Sequence, residues 1–221
     1  MKDKNRFFPF VFLIFGIILI LTISLVSVKR YIKQSKSENN FKNVLLKEKA
    51  EENNDEKKLF FKKPEKFPGT TSIKIYKERR VMELYGDNEL IGRFKMALGR
   101  VPEGKKQKEG DNKTPEGNYY ICYINSETKY NYFLGISYPN IEDARRGLNE
   151  GIIDKNTFER IKKAIENKEQ PPWNTPLGGT IGIHGGGAEY NWTYGCIALS
   201  DNDMDILKQY VFVKTLVQIY K

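Results

Sequence analysis

The run Phe7–Val28 carries no charged residue, and it limits how the rest of the chain can be arranged. A half-buried strand alternates its faces and is far shorter than this. As a helix, the run is long enough to cross a hydrocarbon layer of about 30 Å. Residues 1–28 are therefore expected to form a cytoplasmic tail and a transmembrane anchor, with the span at 7–28. The competing reading is a cleaved secretory signal, but that needs a shorter apolar core and a small-x-small cleavage site, and no Ala-x-Ala pattern is present. Lys2, Lys4 and Arg6 precede the run while Lys29, Arg30, Lys33 and Lys36 follow it, so flanking charge gives no clear orientation. A tail this short is commonly held in the cytoplasm. A single-pass protein of the cytoplasmic membrane is expected, its remainder on the periplasmic or cell wall side.

Residues 29–68 are dominated by charged and polar side chains, with Lys47–Lys58 the densest stretch. Such a composition buries too little apolar surface to offset chain entropy and reads as a flexible stalk, although Phe41–Leu46 and Leu59–Phe61 could form transient helices or dock elsewhere. The net charge of +9 raises the question of nucleic acid. Lys and Arg are interleaved with Asp and Glu along the stalk and no zinc-finger spacing occurs, so the excess is read as attraction to anionic lipid or wall polymer, and no nucleic acid partner is expected.

From Thr70 the pattern changes to short alternating segments. Ser72–Tyr76 and Arg80–Tyr85 read as paired strands, Gly86-Asp87-Asn88 as the turn into a strand over Leu90–Leu98, and Asn118–Ile124 as a further strand behind a Gly- and Pro-rich loop at Val101–Gly117. Asn156–Glu159 offers a capping box, with Phe158, Ile161 and Ile165 at helical spacing, and Asp201–Tyr210 reads as a short helix with Ser200 and Asp203 as its capping pair. A last strand is expected over Val211–Tyr220. The sum is a mainly β domain over residues 69–221 with one or two packed helices.

His184 is the sole histidine. It stands in Ile183-His184-Gly185-Gly186-Gly187, and Cys196 stands in a second glycine-marked turn, Tyr194-Gly195-Cys196-Ile197. An imidazole within reach of a thiol can take its proton and hold the resulting ion pair, and the thiolate attacks carbonyl carbon. Alone, each residue reads more readily as a buried structural group. What favours chemistry is the setting: Ile181 and Ile183 share one face of a probable strand and His184 falls on the other. Cys122 lies in an aromatic, β-branched strand and is expected to be an inert bystander. A Cys122–Cys196 disulfide in an oxidising compartment remains open and would silence the site. The acidic run Asp201, Asn202, Asp203 and Asp205 lacks the glycine hinge and closing glutamate of a calcium loop, so no metal is expected.

Three stretches resemble the L,D-transpeptidase catalytic domain, or YkuD, family: Lys113-Thr114-Pro115-Glu116-Gly117-Asn118-Tyr119, Gly182-Ile183-His184-Gly185, and Thr193-Tyr194-Gly195-Cys196-Ile197-Ala198-Leu199. The resemblance covers roughly Ser72–Tyr220, and Leu134–Asn140 and Trp192–Cys196 look like one branch of that family. It implies a β-sandwich-like fold acting on peptidoglycan stem peptides without metal or organic cofactor. Cys196 would be the nucleophile and His184 the general base and later acid. The Gly185 backbone carbonyl would orient the imidazole, and N–H groups of Tyr194, Gly195 and Cys196 would form the oxyanion hole. Tyr138, Trp192 and Thr193 are the candidates for substrate contact; Trp173 could line the groove as well.

Two departures stand out. Tyr194 occupies the place where many members carry a second histidine, and Ala198 the place of an Arg or Asn that could hold a substrate carboxylate. Arg145, Arg146 or a lysine of the Val101–Gly117 loop could substitute for the latter. The implied reaction attacks an L-centre to D-centre bond of a tetrapeptide donor, expels the terminal D-amino acid, and passes the acyl group from the thioester to an acceptor amine. Resolution by water would make the chain a hydrolase instead, and a noncatalytic wall-binding module is the alternative from another class.

Overall fold

The computed structural model describes residues 29, 30, 33–36, 38, 42 and 58–221. The expected span at 7–28 and most of the expected stalk lie outside the described residues. Among those described, no helix is long and apolar enough to cross a membrane. The chain divides into two units, Met1–Lys58 and Leu59–Lys221. The second begins about ten residues before the expected stalk boundary, because Phe60–Phe61 adds a short strand, β1, to a sheet edge and Phe61 packs on the core.

Eight further strands follow: β2 (Thr71–Tyr76), β3 (Val81–Gly86), β4 (Glu89–Lys95), β5 (Gly117–Asn125), β6 (Phe133–Ile136), β7 (Gly182–His184), β8 (Ile197–Ala198) and β9 (Leu216–Tyr220). The helices of this second unit are α1 (Ile141–Asn149), α2 (Lys155–Glu166) and α3 (Asp201–Leu207). All the strands belong to one sheet in the order β1-β4-β3-β2-β9-β5-β6-β7-β8. Among the described strands, β2–β9 and β7–β8 run parallel and the other pairs antiparallel.

Strand periodicity works as expected in β2, where Ile73 and Ile75 are fully buried between half-buried Ser72, Lys74 and Tyr76. The β3–β4 hairpin turns on Asp87 and Asn88 at φ 49° and 68°, both positive, as a two-residue hairpin loop of matching twist requires. Beyond β4 the chain reaches round to the far edge: Ala97 bridges Ala198 and Gly99 bridges Thr193. These bridges curl the sheet into a half-barrel, where the family resemblance implied a β-sandwich-like fold.

Within residues 59–221 three helices form rather than one or two. Helix α1 was not expected, yet it carries a complete capping box: Asn140 Oδ1 accepts from the Asp143 N–H at 2.9 Å and Asp143 Oδ2 from the Asn140 N–H at 3.2 Å. Helix α2 starts two residues before the anticipated box, because Asp154 is its N-cap and accepts from the Thr157 N–H at 2.7 Å. Ser200 caps α3 by accepting from the Asp203 N–H at 3.1 Å, as the spacing predicts. The last strand is shorter than expected because Phe212–Thr215 closes a turn, with Lys214 at φ 76°. Helices α1 and α2 close over a second small core of Ala144, Ile153, Ile161 and Leu177, which fixes the segment leading into the site.

Candidate active site

Strands β7 and β8 place Ile183 opposite Ile197 and His184 opposite Ala198. Paired residues of parallel strands face the same side and sides alternate along each strand. Ile183 and Ile197 therefore turn into the core, where both are fully buried. His184 and, one residue before β8, Cys196 share the opposite face. Both line a cleft of about 500 Å³. Its other walls come from Lys106 and Glu109 of the long loop, Tyr130, the segment Trp173–Thr175, Gly179–Ile181, and Trp192–Tyr194.

The imidazole is firmly set. Its Nδ1 lies 2.7 Å from the Gly185 carbonyl oxygen, which places the proton on Nδ1 and leaves the Nε2 lone pair free to accept. Tyr130 and Trp192 flank the ring at centroid distances of 5.0 and 5.4 Å. Backbone bonds strap the loop: Gly185 N–H to the Tyr130 carbonyl at 2.8 Å, Gly187 N–H to Leu199 at 2.9 Å, and Gly186 N–H to Asp201 Oδ1 at 2.8 Å. Burial lowers the His184 pKa, opposed by the Gly185 carbonyl, so the ring is neutral at neutral pH.

The sulfur has a backbone partner of its own. Cys196 Sγ donates to the Thr180 carbonyl at 3.6 Å, and burial pushes its pKa up to about 11 against the opposing effects of the Gly182 N–H and Lys106. Both shifts favour the uncharged forms, because burial costs an ionised sulfur more hydration than these donors return. Cys122 and Cys196 are both free thiols, and burial raises Cys122 to about 12.

The turn before Cys196 is braced by Thr193. Its hydroxyl donates to the Cys196 carbonyl at 2.8 Å and accepts the Gly195 N–H at 3.2 Å. Gly195 sits at φ 133°, and a Cβ there would meet the Lys113 carbonyl oxygen at 2.7 Å, so the position admits glycine only. The Gly195 N–H, one of the three expected oxyanion donors, is thus engaged by the Thr193 hydroxyl in this turn.

The anticipated substrate contacts separate. Trp192 lines the cleft while its Nε1–H donates to the Gly187 carbonyl at 3.1 Å. Thr193 reaches the cleft wall but is buried and occupied with the turn. Tyr138 does not reach the cleft: it is fully buried and its hydroxyl donates to the Leu177 carbonyl at 2.9 Å, joining the half-barrel to the helical pair. Tyr194 is 69% exposed, with the Arg100 guanidinium 4.5 Å from its ring centre.

Ala198 is fully buried, paired with His184 on one side and Ala97 on the other, and its methyl carries no group that could hold a substrate carboxylate. Of the proposed substitutes, Lys106 lines the cleft. Arg146 instead bonds the Gln107 carbonyl at 2.8 Å and Glu150 at 2.9 Å. Sequence reasoning passed over Tyr130, Thr175 and Thr180, which carry no motif and become wall residues only through the fold.

The family model for the L,D-transpeptidase catalytic domain, YkuD, matches residues 70–219. YafK of Escherichia coli (strain K12) is 32% identical over 81 residues, which is 34% of this chain and 33% of that protein. The chain thus spans about a third of the length of the curated relatives it matches. Among solved structures, the helical cell shape determining protein Pgp2 from Campylobacter jejuni overlaps with TM-score 0.48 at 23% identity, over 69% of this chain and 48% of that one. Bd1075 of Bdellovibrio bacteriovorus overlaps with TM-score 0.45 at 21% identity, over 74% and 54%. The family assignment rests on the match over residues 70–219.

Proposed function

The chain belongs to the YkuD family of L,D-transpeptidase catalytic domains, and from that premise we propose that it is a cysteine acyltransferase acting on peptidoglycan stem peptides. The observation that carries the reading is the placement of His184 and Cys196 on one face of β7–β8, within one cleft, with Nε2 of the ring left free to accept.

In the first half-reaction Sγ–H leaves the Thr180 carbonyl and gives its proton to His184 Nε2 as sulfur attacks the carbonyl carbon of the L-to-D peptide bond. The tetrahedral oxyanion takes hydrogen bonds from the Tyr194 and Cys196 N–H groups. Its collapse breaks the C–N bond, the departing D-amino acid takes the proton back from Nε2, and a thioester on Cys196 remains. An acceptor amine then attacks the thioester and loses its proton to His184, which returns it to the departing thiolate. Coupling proton transfer to attack suits a thiol with a raised pKa, since no stable thiolate has to be held in the cleft. The Gly185 carbonyl, fixed on Nδ1–H, keeps the ring in the required tautomer and favours the imidazolium as it forms. Trp192 is the side chain best placed to meet the substrate. The domain works beyond the cytoplasmic membrane, tethered through residues 7–28; the charge-free run in the sequence supports this.

Incubating the full chain with disaccharide-tetrapeptides and following intact protein and products by mass spectrometry tests the reading. A thioester on Cys196 with dimeric products is expected. Shortened monomers without dimers would replace transfer by hydrolysis through the same intermediate. No adduct on fully reduced protein, with unchanged substrate, would remove the enzymatic reading.

A further inference from the structure

The start of the folded unit builds a surface that acyl transfer does not use. Phe67, Phe212 and Val213 are 61%, 52% and 51% exposed. The Phe67 ring stacks on Tyr210 with centroids 5.4 Å apart and planes 6° from parallel, and Phe212 meets Phe67 at 6.0 Å. Phe212 and Val213 project from a turn closed by Thr215 N–H to the Phe212 carbonyl at 3.0 Å, and Lys214 N–H pins it to the Ile121 carbonyl at 2.7 Å. Phe61 also packs on Tyr210, at 5.6 Å. Residues 62–66 therefore arc between two rings seated on the same tyrosine, and their exposed lysines, Lys62, Lys63 and Lys66, border the aromatic cluster. Lys214 follows Val213 on the other side.

These four lysines form no ion pair among the described residues. Glu65 is the single acid of the arc, and the nearby Asp87 carboxylate is occupied by the Gly69 and Thr70 N–H groups at 3.1 and 2.9 Å. Contiguous large apolar side chains held out in water mark a contact surface. A second copy docking the same face would bring lysine against lysine. A soluble polyanion would satisfy the lysines and leave the rings wet. An anionic bilayer satisfies both, with rings at headgroup depth and ammonium groups on lipid phosphates.

We propose that this face docks on an anionic lipid surface, Phe67, Phe212 and Val213 entering the boundary between headgroup and acyl chain while Lys62, Lys63, Lys66 and Lys214 lie against phosphates. The proposal does not depend on the acyl transfer reading.

The test uses the full chain carrying Phe212→Trp on vesicles with brominated acyl chains, made either of phosphatidylcholine alone or with phosphatidylglycerol. Residues 7–28 are the same in both, so the difference between vesicles reports the face. Bromine should quench the added indole several-fold more on anionic vesicles, and high salt or replacement of all four lysines by Glu should remove the excess. Should the fourfold variant not fold, the salt titration of the Phe212→Trp chain decides alone. Equal quenching on both vesicles, no quenching on either, or concentration-dependent self-association that buries the indole in lipid-free solution would overturn the proposal.

Discussion

Thr180 holds the Cys196 thiol through its carbonyl, 3.6 Å from Sγ, while its own backbone stands at φ 53°. A β-branched residue in the left-handed region is strained, by about 1–3 kcal/mol. The turn that aims this carbonyl at the sulfur is thus a stressed element of the cleft lip.

Thr180→Gly should release that strain at a backbone entropy cost of about 0.5–1 kcal/mol, for a net gain of about 1 kcal/mol. The freed carbonyl should hold the thiol less well, so alkylation of Cys196 by iodoacetamide should quicken. Thermal unfolding and timed peptide mapping read the two effects. A lower melting temperature with slower labelling would mean that Thr180 is not strained in this way.

The thiol titrates late. With Cys196 pushed up to about 11 by burial, raising the pH removes its proton only gradually, and its alkylation rate should still be climbing above pH 9, where an ordinary thiol near 8.5 levels off. Peptide mapping separates it from Cys122. His184→Gln should leave this alkaline limb in place while reducing acylation by stem peptide at pH 7 at least a hundredfold. A labelling plateau below pH 8 that His184→Gln abolishes would instead reveal a standing thiolate–imidazolium pair.

Thr193 serves the turn through its hydroxyl. Thr193→Val strands the Cys196 carbonyl and the Gly195 N–H, a loss of about 1–3 kcal/mol, and should slow thioester formation more than it weakens substrate binding. Thr193→Ser keeps the hydroxyl and should restore both stability and rate. If Val and Ser variants acylate equally fast, the brace is not what positions the nucleophile.

Tyr138→Phe should leave kcat/KM unchanged. It removes only the hydroxyl that serves the Leu177 carbonyl, so its effect belongs to stability, about 1 kcal/mol by urea unfolding. A tenfold fall in kcat/KM without destabilisation would return Tyr138 to substrate contact.

Tyr138 also shows where sequence reading runs short. A tyrosine between a strand and a proline looks the same whether it borders a groove or seals a core, and the difference lies in Leu177, far along the chain. His184 and Cys196 were legible because each sits in its own glycine-marked turn and because strand alternation put His184 opposite Ile183. The half-barrel was not, since the bridges Ala97–Ala198 and Gly99–Thr193 are long-range pairings that alternation does not encode. Helix α1 was within reach: Asn140 and Asp143 are a capping pair as clear as Ser200 and Asp203, but they follow Tyr138-Pro139, where a turn is the readier inference. Lys106 was one of several loop lysines that sequence does not tell apart; the fold singles it out by burying it to 1% exposure.

That buried ammonium leads to the last expectation. Lys106 Nζ lies 2.9 Å from Asp111 Oδ1, and the same carboxylate accepts from the N–H groups of Gln107, Lys108 and Lys113 at 2.6, 3.1 and 3.1 Å. Burial alone would raise the Asp111 pKa, but these donors outweigh it and the net shift is downward. A carboxyl whose folded pKa lies below its unfolded value of about 3.9 adds stability above that pH and loses it as the pH falls through the folded value. The long loop should therefore keep its hold at pH 5 and release it only in stronger acid. Asp111→Ala abandons Lys106 without a counter-charge and should cost about 3–5 kcal/mol. It should also depress acylation, because Lys106 and Glu109 form one wall of the cleft. Pairing Asp111→Ala with Lys106→Met removes the stranded charge and should recover part of the stability. Urea unfolding of the two single variants and the double variant measures the coupling, and additive losses would show that the ion pair does not organise the loop.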